Sequence, residues 1–436
     1  MSIRISRRKF LTGTAATAAV LGMPNPFQRA ILGARAAFAA PADAILVLVQ
    51  LEGGNDGLNT VIPIDDAPGV AQRSLYDSAR PSIGIAVSDL LDTEIGADPV
   101  KGNRLALHPS LAPLHDLYTG GNLAVINGVA YPNQNLSHFR SEDIWMSANP
   151  TGSAQNGWLG RYLDAAFTPS DLKAVDFDNT LSPAFYSVDS NVLAVTALSE
   201  FVLGDDPLYP DLAAKKAALQ AAYAEEALQA TGMQLSVGTS GSVLLGALDD
   251  YAAVDTTWPS NLNGKPGRFA KRLKDISSIL RNDVQGGNPL GARFFHVRQG
   301  GYDTHSNQGA LAGRQADLFD DLGVALKAFY DDTVDLGISN KVLVLTFSEF
   351  GRRVAQNGGG GTDHGEASVL FAIGDAVVGG VYGTVPALND LNKGNLKVQT
   401  DFRQVYATVI DRWLASPGAH VPLLPGAPFS TLGFLT

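Results

Sequence analysis

The sequence predicts an α/β protein with a mostly parallel central sheet flanked by helices and a helix-rich insertion. Three observations predict it. Apolar runs of five to seven residues recur along the chain, the length of buried strands and the continuity expected when both sheet faces are covered. Helical patterns fall between those runs, which is the order of an α/β domain. Polar and glycine-rich clusters stand at the ends of the runs, where ligand-binding loops lie in open α/β sheets.

The first run, Ala44 to Gln50, reads as a buried parallel strand and leads into the loop Glu52-Gly53-Gly54-Asn55-Asp56-Gly57. A short helix is expected over Ser110 to Tyr118, a second strand over Leu123 to Asn127, and a helix-like stretch over Ser141 to Met146. The span Pro210 to Ala230 is rich in Ala, Leu, Glu and Lys and has Pro at its start, where the missing N–H costs a helix nothing. With a further helix over Phe269 to Asn282, it makes residues 205–288 a helix-rich insertion. Strands follow over Arg293 to Val297, Lys341 to Phe347 and Val369 to Ile373. Between the first two of these, Gln308 to Asp332 carries Leu311, Leu318, Leu322, Ala325 and Phe329 on one helical face. The reading is one domain over 41–436, with no internal repeat.

At 436 residues, 45% hydrophobic and 17% charged, the chain has ample material for a core and is too apolar for disorder. The net charge is −11, and residues 1–40 hold six basic residues and no acid, so the remainder carries 26 basic against 43 acidic residues. That balance argues against nucleic acid and anionic membrane as partners. The absence of cysteine excludes disulfides, thiolate metal sites and cysteine nucleophiles.

The stretch Ser6-Arg7-Arg8-Lys9-Phe10-Leu11 has the twin-arginine export pattern. A weakly apolar segment and the small-x-small site Ala37-Phe38-Ala39 follow it. Residues 1–40 are therefore expected to be a signal peptide handled by the twin-arginine translocase, and the mature protein to be periplasmic or secreted. No later segment has the ~18 uninterrupted apolar residues of a membrane span.

The candidate chemistry lies at the strand ends. Asp303 and His305, at i and i+2 of an extended segment, share a face and can reach one ion. Asp363 and His364 are adjacent, so joint ligation needs the irregular backbone that Gly361 and Gly365 allow. Carboxylate with imidazole suits zinc, manganese or iron in hydrolases. Asp56, delivered by a glycine-rich turn, is a further candidate ligand, and Asn55 a candidate substrate contact. Ser137 stands at the start of a helix-like stretch, where free N–H groups favour an anion; it is a candidate nucleophile, and Ser is equally a preferred helix N-cap. His138 and His108 are candidate ligands or acid–base groups, and His138 is also a candidate substrate contact. Glu349 is a candidate catalytic group that could hold a metal-bound water or orient a metal ligand, Arg352 an anion clamp, and Arg140 a second anion contact. His115, His296 and His420 read as structural.

These motifs together resemble one exported bacterial family, domain of unknown function 1501, grouped with the alkaline phosphatase and sulfatase superfamily. The resemblance is carried by Gln50 to Gly57, Ser137-His138-Phe139, Asn156 to Arg161, Gly301 to His305, Ser348 to Arg352 and Gly361 to Gly365. It implies an alkaline-phosphatase-like fold and a hydrolase of phosphate or sulfate esters, small or polymeric, using one or two divalent ions, zinc or manganese. In that pattern Asp56, Asp363, His364 and Ser137 surround one ion, and Asp303 and His305 the other. Two departures are visible: the second pair is spaced i and i+2 rather than i and i+4, and the late histidine has no match. The sulfatase nucleophile motif, Cys or Ser followed by x-Pro-x-Arg, is also absent. The alternative is an exported binding or assembly protein that keeps the fold without catalysis.

Overall fold

Alternate side chains of the apolar runs point to opposite sheet faces, and a different set of helices covers each face. This arrangement is drawn from a computed structural model that describes residues 43–67, 72–152, 156–204, 211–228, 233–286 and 289–436. The twin-arginine leader and both boundaries of the expected insertion lie outside the described residues.

In chain order the elements used below are β1 (Ile45–Glu52), α1 (Gly57–Thr60), β2 (Val61–Pro63), β3 (Glu94–Ala97), β4 (Arg104–Leu107), α2 (Ala112–Thr119), β5 (Leu123–Ala130), α3 (His138–Ser147), α4 (Trp158–Ala166), β6 (Leu172–Phe177), β7 (Asn191–Ala194), α5 (Leu212–Ala227), α6 (Met233–Ala252), α7 (Gly267–Gln285), β8 (Phe294–Gly300), α8 (Arg314–Asp335), β9 (Val342–Phe347), β10 (Gly351–Arg352), β11 (His364–Gly365), β12 (Ser368–Ile373), β13 (Gly380–Tyr382), β14 (Thr400–Asp401) and α9 (Phe402–Val409).

The main sheet runs β13-β5-β12-β9-β1-β8-β6-β7, with β14 also paired to β5. Strand β1 is central and parallel to both neighbours, with Val49 beside Val297 of β8 and Thr346 of β9. Val47, Val49, Val125, Phe295, Val297 and Val344 face one layer, packed with Leu114 and Leu117 of α2, Leu273 and Ile276 of α7, and Phe319 and Leu322 of α8. Leu46, Leu48, Ile126, Phe294, Leu343 and Leu345 face the other, with Trp145 of α3, Trp158 and Tyr162 of α4, and Val405 and Tyr406 of α9. Each such fully buried side chain contributes ~1.5–3 kcal/mol relative to exposure. Strands β2, β3 and β4 form a small separate antiparallel sheet.

One strand departs from the parallel pattern, and it positions the site. β12 is antiparallel to both β5, with Leu370 opposite Ile126, and β9, with Ala372 opposite Leu345. Its amino end therefore lies with the carboxyl ends of β1, β5, β8 and β9. Asp363 and His364 precede β12 in sequence yet share the sheet end with residues that follow the other strands.

The helix expected over Gln308 to Asp332 begins only at Arg314; Gln308 is buried in the preceding turn, where its amide bridges two loops. Within the expected insertion, α5 and α6 pack on each other, whereas α7 packs on β8 and α8 as part of the layer covering the sheet. Strands β6 and β7 extend the sheet beyond β8 and were not legible as an apolar run. β6 contains Asp176, fully buried because Nδ1 of His296 on β8 meets its carboxylate at 2.8 Å.

Candidate metal centre

The turn after β1 creates the space for the site. Gly53 and Gly54 have φ of +120° and +85°, a region that glycine adopts readily. A Cβ on Gly53 would stand 2.3 Å from the backbone nitrogen of Asp303, and one on Gly54 would meet the Phe350 ring. The loop after β8 and the loop after β9 can therefore close onto the β1 turn. Strands β10 and β11 form a two-residue hairpin with Arg352 opposite His364. Phe350 packs against the rings of His364 and His138, with centroids 4.4 and 4.9 Å away.

Three imidazoles converge on Asp303. Oδ1 of Asp303 lies 3.2 Å from Nε2 of His364 and 3.1 Å from Nε2 of His305, and Oδ2 lies 3.6 Å from Nε2 of His138. The two nitrogens Nε2 of His305 and Nε2 of His364 are 2.9 Å apart. The donor atoms of His138, Asp303 and His364 all lie within 4.8 Å of one another. Asp303 and His305 are nearly half exposed, so the cluster opens to solvent.

The far side of each ring has its own partner. Nδ1 of His138 faces Oε1 of Glu349 at 2.7 Å, Nδ1 of His364 faces the Leu136 carbonyl at 2.8 Å, and Nδ1 of His305 faces Oδ1 of Asp363 at 3.4 Å. In neutral rings such acceptors favour a proton on Nδ1, the tautomer following from the partner on that side, and in that tautomer each Nε2 turns a lone pair toward Asp303. Carboxylate or carbonyl behind imidazole is how metal-ligating histidines are oriented.

The charge on each group follows from its neighbours. Burial works against ionisation of Asp303, but the Arg352 guanidinium, through its hydrogen bond and its charge, together with His364 and His305 in their protonated forms, overrides it and holds the pKa at about 2. The Glu349 hydrogen bond raises the pKa of His138 against the effect of burial. Burial lowers that of His364 and so favours its neutral form. The Asn357 amide, 3.0 Å away, lowers that of Asp363.

Beneath the cluster lies a polar layer. Arg352 is 1% exposed. Its Nε donates to Gly54 O (2.7 Å), its Nη1 to Thr362 O (2.8 Å), and its Nη2 to Tyr302 O (3.0 Å), Oδ1 of Asp303 (2.7 Å) and Gly53 O. Gln308 accepts from the hydroxyls of Thr304 and Thr362 at 3.0 and 2.8 Å and donates to Oδ2 of Asp56 at 2.7 Å.

The structure thus brings together Asp303, His305, His364 and His138, with Asp363 and Glu349 behind two of the rings. Asp56 has other partners. It is buried, paired with Arg80 (Nη1 to Oδ2 2.5 Å, Nη2 to Oδ1 3.0 Å), and caps α1 through Oδ1. Asn55 is buried, and its amide donates to Thr60 at 2.9 Å. Arg140 is paired with Asp143 of its own helix and with Gly152 O at 2.8 Å. Arg352, expected from sequence as a substrate clamp, is turned inward onto Asp303. Ser137 is exposed at the N-cap of α3, and its side chain makes no capping bond. His108 is buried between Ala310 O and the Ser110 N–H, at 3.0 and 3.1 Å. His115 bonds Glu94 O, and His296 and His420 pair with buried Asp176 and Asp411. Gln308 and Asn357 were not singled out from sequence; a lone amide in a turn carries no local signal of what it bridges.

One protein-family profile, described as "Protein of unknown function (DUF1501)", matches residues 43–415. No curated protein sequence matches the chain. Among solved structures it is similar to an alkaline phosphatase superfamily protein from Vibrio parahaemolyticus, at 8% identity and TM-score 0.39, over 94% of this chain and 80% of that one. A sulfatase from a Pseudoalteromonas species gives 10% and 0.33 over 94% and 77%. The lipoteichoic acid synthase LtaP from Listeria monocytogenes gives 11% and 0.34 over 85% and 80%.

Proposed function

The chain belongs to the DUF1501 family of unknown function, and on that premise we propose that it is an exported metal-dependent hydrolase of phosphate or sulfate esters. The observation that carries this reading is the orientation of the three imidazoles. Their Nδ1 atoms face acceptors, so in the neutral rings their Nε2 lone pairs meet one another and an ionised carboxylate. Lone pairs and negative charge at 2.9 to 3.6 Å repel unless a proton or cation lies among them.

The donor set fits such an ion. Tetrahedral zinc with Zn–N of about 2.0–2.1 Å holds neighbouring nitrogens ~3.3 Å apart, a small opening from the observed 2.9 Å. His138, His364 and Asp303 would hold one ion, with His305, beside His364 and Asp303, as a fourth donor on one side, and an imidazole-rich set favours zinc over manganese. A divalent ion there would supply Lewis acidity and lower the pKa of a hydroxyl or water beside it. Ser137, exposed next to His138 at the amino end of α3, is our candidate nucleophile, with water as the alternative. The free N–H groups of that helix end favour negative charge.

Metal-stripped protein reloaded with zinc or manganese, assayed on aryl phosphates, phosphodiesters and aryl sulfates, tests this reading. We expect metal-dependent turnover of at least one class; metal bound with no turnover would sink the hydrolase. One observation favours a second reading, an exported binding or assembly protein without catalysis: Arg352, the side chain expected to meet a substrate anion, is buried and fully engaged.

We also infer export by the twin-arginine translocase to the periplasm or beyond, supported by Arg7-Arg8 and the acid-free first 40 residues. Among the described residues no helix is long and apolar enough to cross a membrane. Cell fractionation checks export: Arg7→Lys with Arg8→Lys should hold the protein in the cytoplasm. We read 41–436 as one domain with 205–288 inserted.

A further inference from the structure

We propose that Arg352 and Gln308 are the positioning residues of the metal centre, a buried layer that sets the distance between the two loops carrying most of its ligands. The proposal rests on the metal reading above and goes beyond it, because neither side chain has a place in the donor set.

The geometry is specific. Asp303 and His305 lie on the loop after β8, and Asp363 and His364 on the loop before β12. Thr304 sits between the first pair, and Thr362 directly precedes the second. Both threonine hydroxyls donate to the same oxygen of Gln308, at 3.0 and 2.8 Å, and the two loops also touch through the Thr362 N–H on Thr304 O at 3.1 Å. The other end of the Gln308 amide is fixed on Asp56, which is itself held by Arg80. Arg352 performs the matching task from the hairpin. One guanidinium takes carbonyls from the β1 turn (Gly53, Gly54), from the β8 loop (Tyr302) and from the β12 loop (Thr362), together with the Asp303 carboxylate. Gly53 in turn donates its N–H to Glu349 at 2.9 Å, the carboxylate behind His138. The side chain therefore touches all three backbone segments that converge on the site, the β1 turn, the β8 loop and the β12 loop. A planar fork with five N–H groups can make this set of contacts, and a lysine ammonium with three donors cannot.

Partners that orient ligands without binding metal typically alter affinity by about 10- to 100-fold when replaced. The test uses the full mature chain, stripped of metal and titrated with cobalt(II), whose visible absorption reports ligand geometry. Arg352→Lys and Gln308→Leu are each expected to weaken cobalt binding about 10- to 100-fold and to change the shape of the visible bands, with unchanged far-ultraviolet circular dichroism. Wild-type affinity and an unchanged spectrum in both variants would overturn the proposal. If Arg352→Lys does not fold, Gln308→Leu decides the matter alone. A wild-type protein that binds neither cobalt nor zinc would overturn the metal reading, and this proposal with it; tight cobalt binding by the wild type with unaffected variants would overturn only the positioning role.

Discussion

Oε1 of Glu349 meets Nδ1 of His138 at 2.7 Å and accepts the Gly53 N–H at 2.9 Å. One buried carboxylate thus joins the loop after β9, the start of α3 and the turn after β1. It fixes the ring so that Nε2 faces Asp303. Glu349→Gln keeps the shape but loses the charge that supports the imidazole. We expect zinc affinity to fall about 10-fold or more, measured by isothermal titration, with little change in the fold.

Asp56 and Asp303 should separate cleanly under mutation. Asp56 and Arg80 form a fully buried pair, and removing one partner of such a pair costs about 3–5 kcal/mol. Asp56→Ala is expected to lower the denaturation midpoint strongly. Asp303→Ala, at a solvent-open position, is expected to abolish metal binding while the metal-free protein keeps its stability. Denaturant melts and metal analysis on the same two variants check both statements.

Ser137 is exposed and makes no capping bond, so its hydroxyl contributes little to folding. If it attacks the ester, Ser137→Ala lowers turnover by about 100-fold or more while metal binding persists. Turnover close to wild type would transfer the attacking role to water.

His108 provides a pH dependence outside the cluster. Burial lowers its pKa from 6.5, opposed by its bond to Ala310 O. In the unfolded chain it takes up a proton near pH 6.5, whereas in the folded chain it does so only at lower pH. The unfolded state therefore binds more protons in that window, and stability falls as pH drops below 6.5 toward the folded value. The contribution is fully present above 6.5. His108→Gln should lose less stability than wild type between pH 7.5 and 5.5 in denaturant melts.

The five strands that carry the site were legible as apolar runs because both faces of the sheet are covered, so nothing polar interrupts β1, β9 or β12 except at their ends. β6 escaped because Asp176 breaks its run, and the distant His296 together with the Ser182 N–H makes that carboxylate tolerable inside. The grouping of Asp303, His305, Asp363 and His364 followed from their places at strand ends. What each does depends on partners that no local spacing reveals. His138 looked like a substrate contact because Glu349, 211 residues away, is what turns its ring toward Asp303. Asp56 looked like a ligand because Arg80 and Gln308 could not be seen to surround it. Arg352 looked like an anion clamp because its inward direction is set by the pairing of β10 with β11.

The reversed direction of β12 bears on how the protein is made. The four proposed donors emerge from the ribosome in the order His138, Asp303, His305, His364, and the strand that fills the gap between β5 and β9 is complete only at Ile373. Until then the sheet is in two pieces, with β5 and His138 separated from β1, β8 and β9. A nascent chain therefore offers an incoming ion fragments of a site but no enclosure. Closure of the sheet and completion of the ligand set occur within ten residues of each other, late in synthesis, so that the donor cluster and the last inner strand become available to the chain almost together.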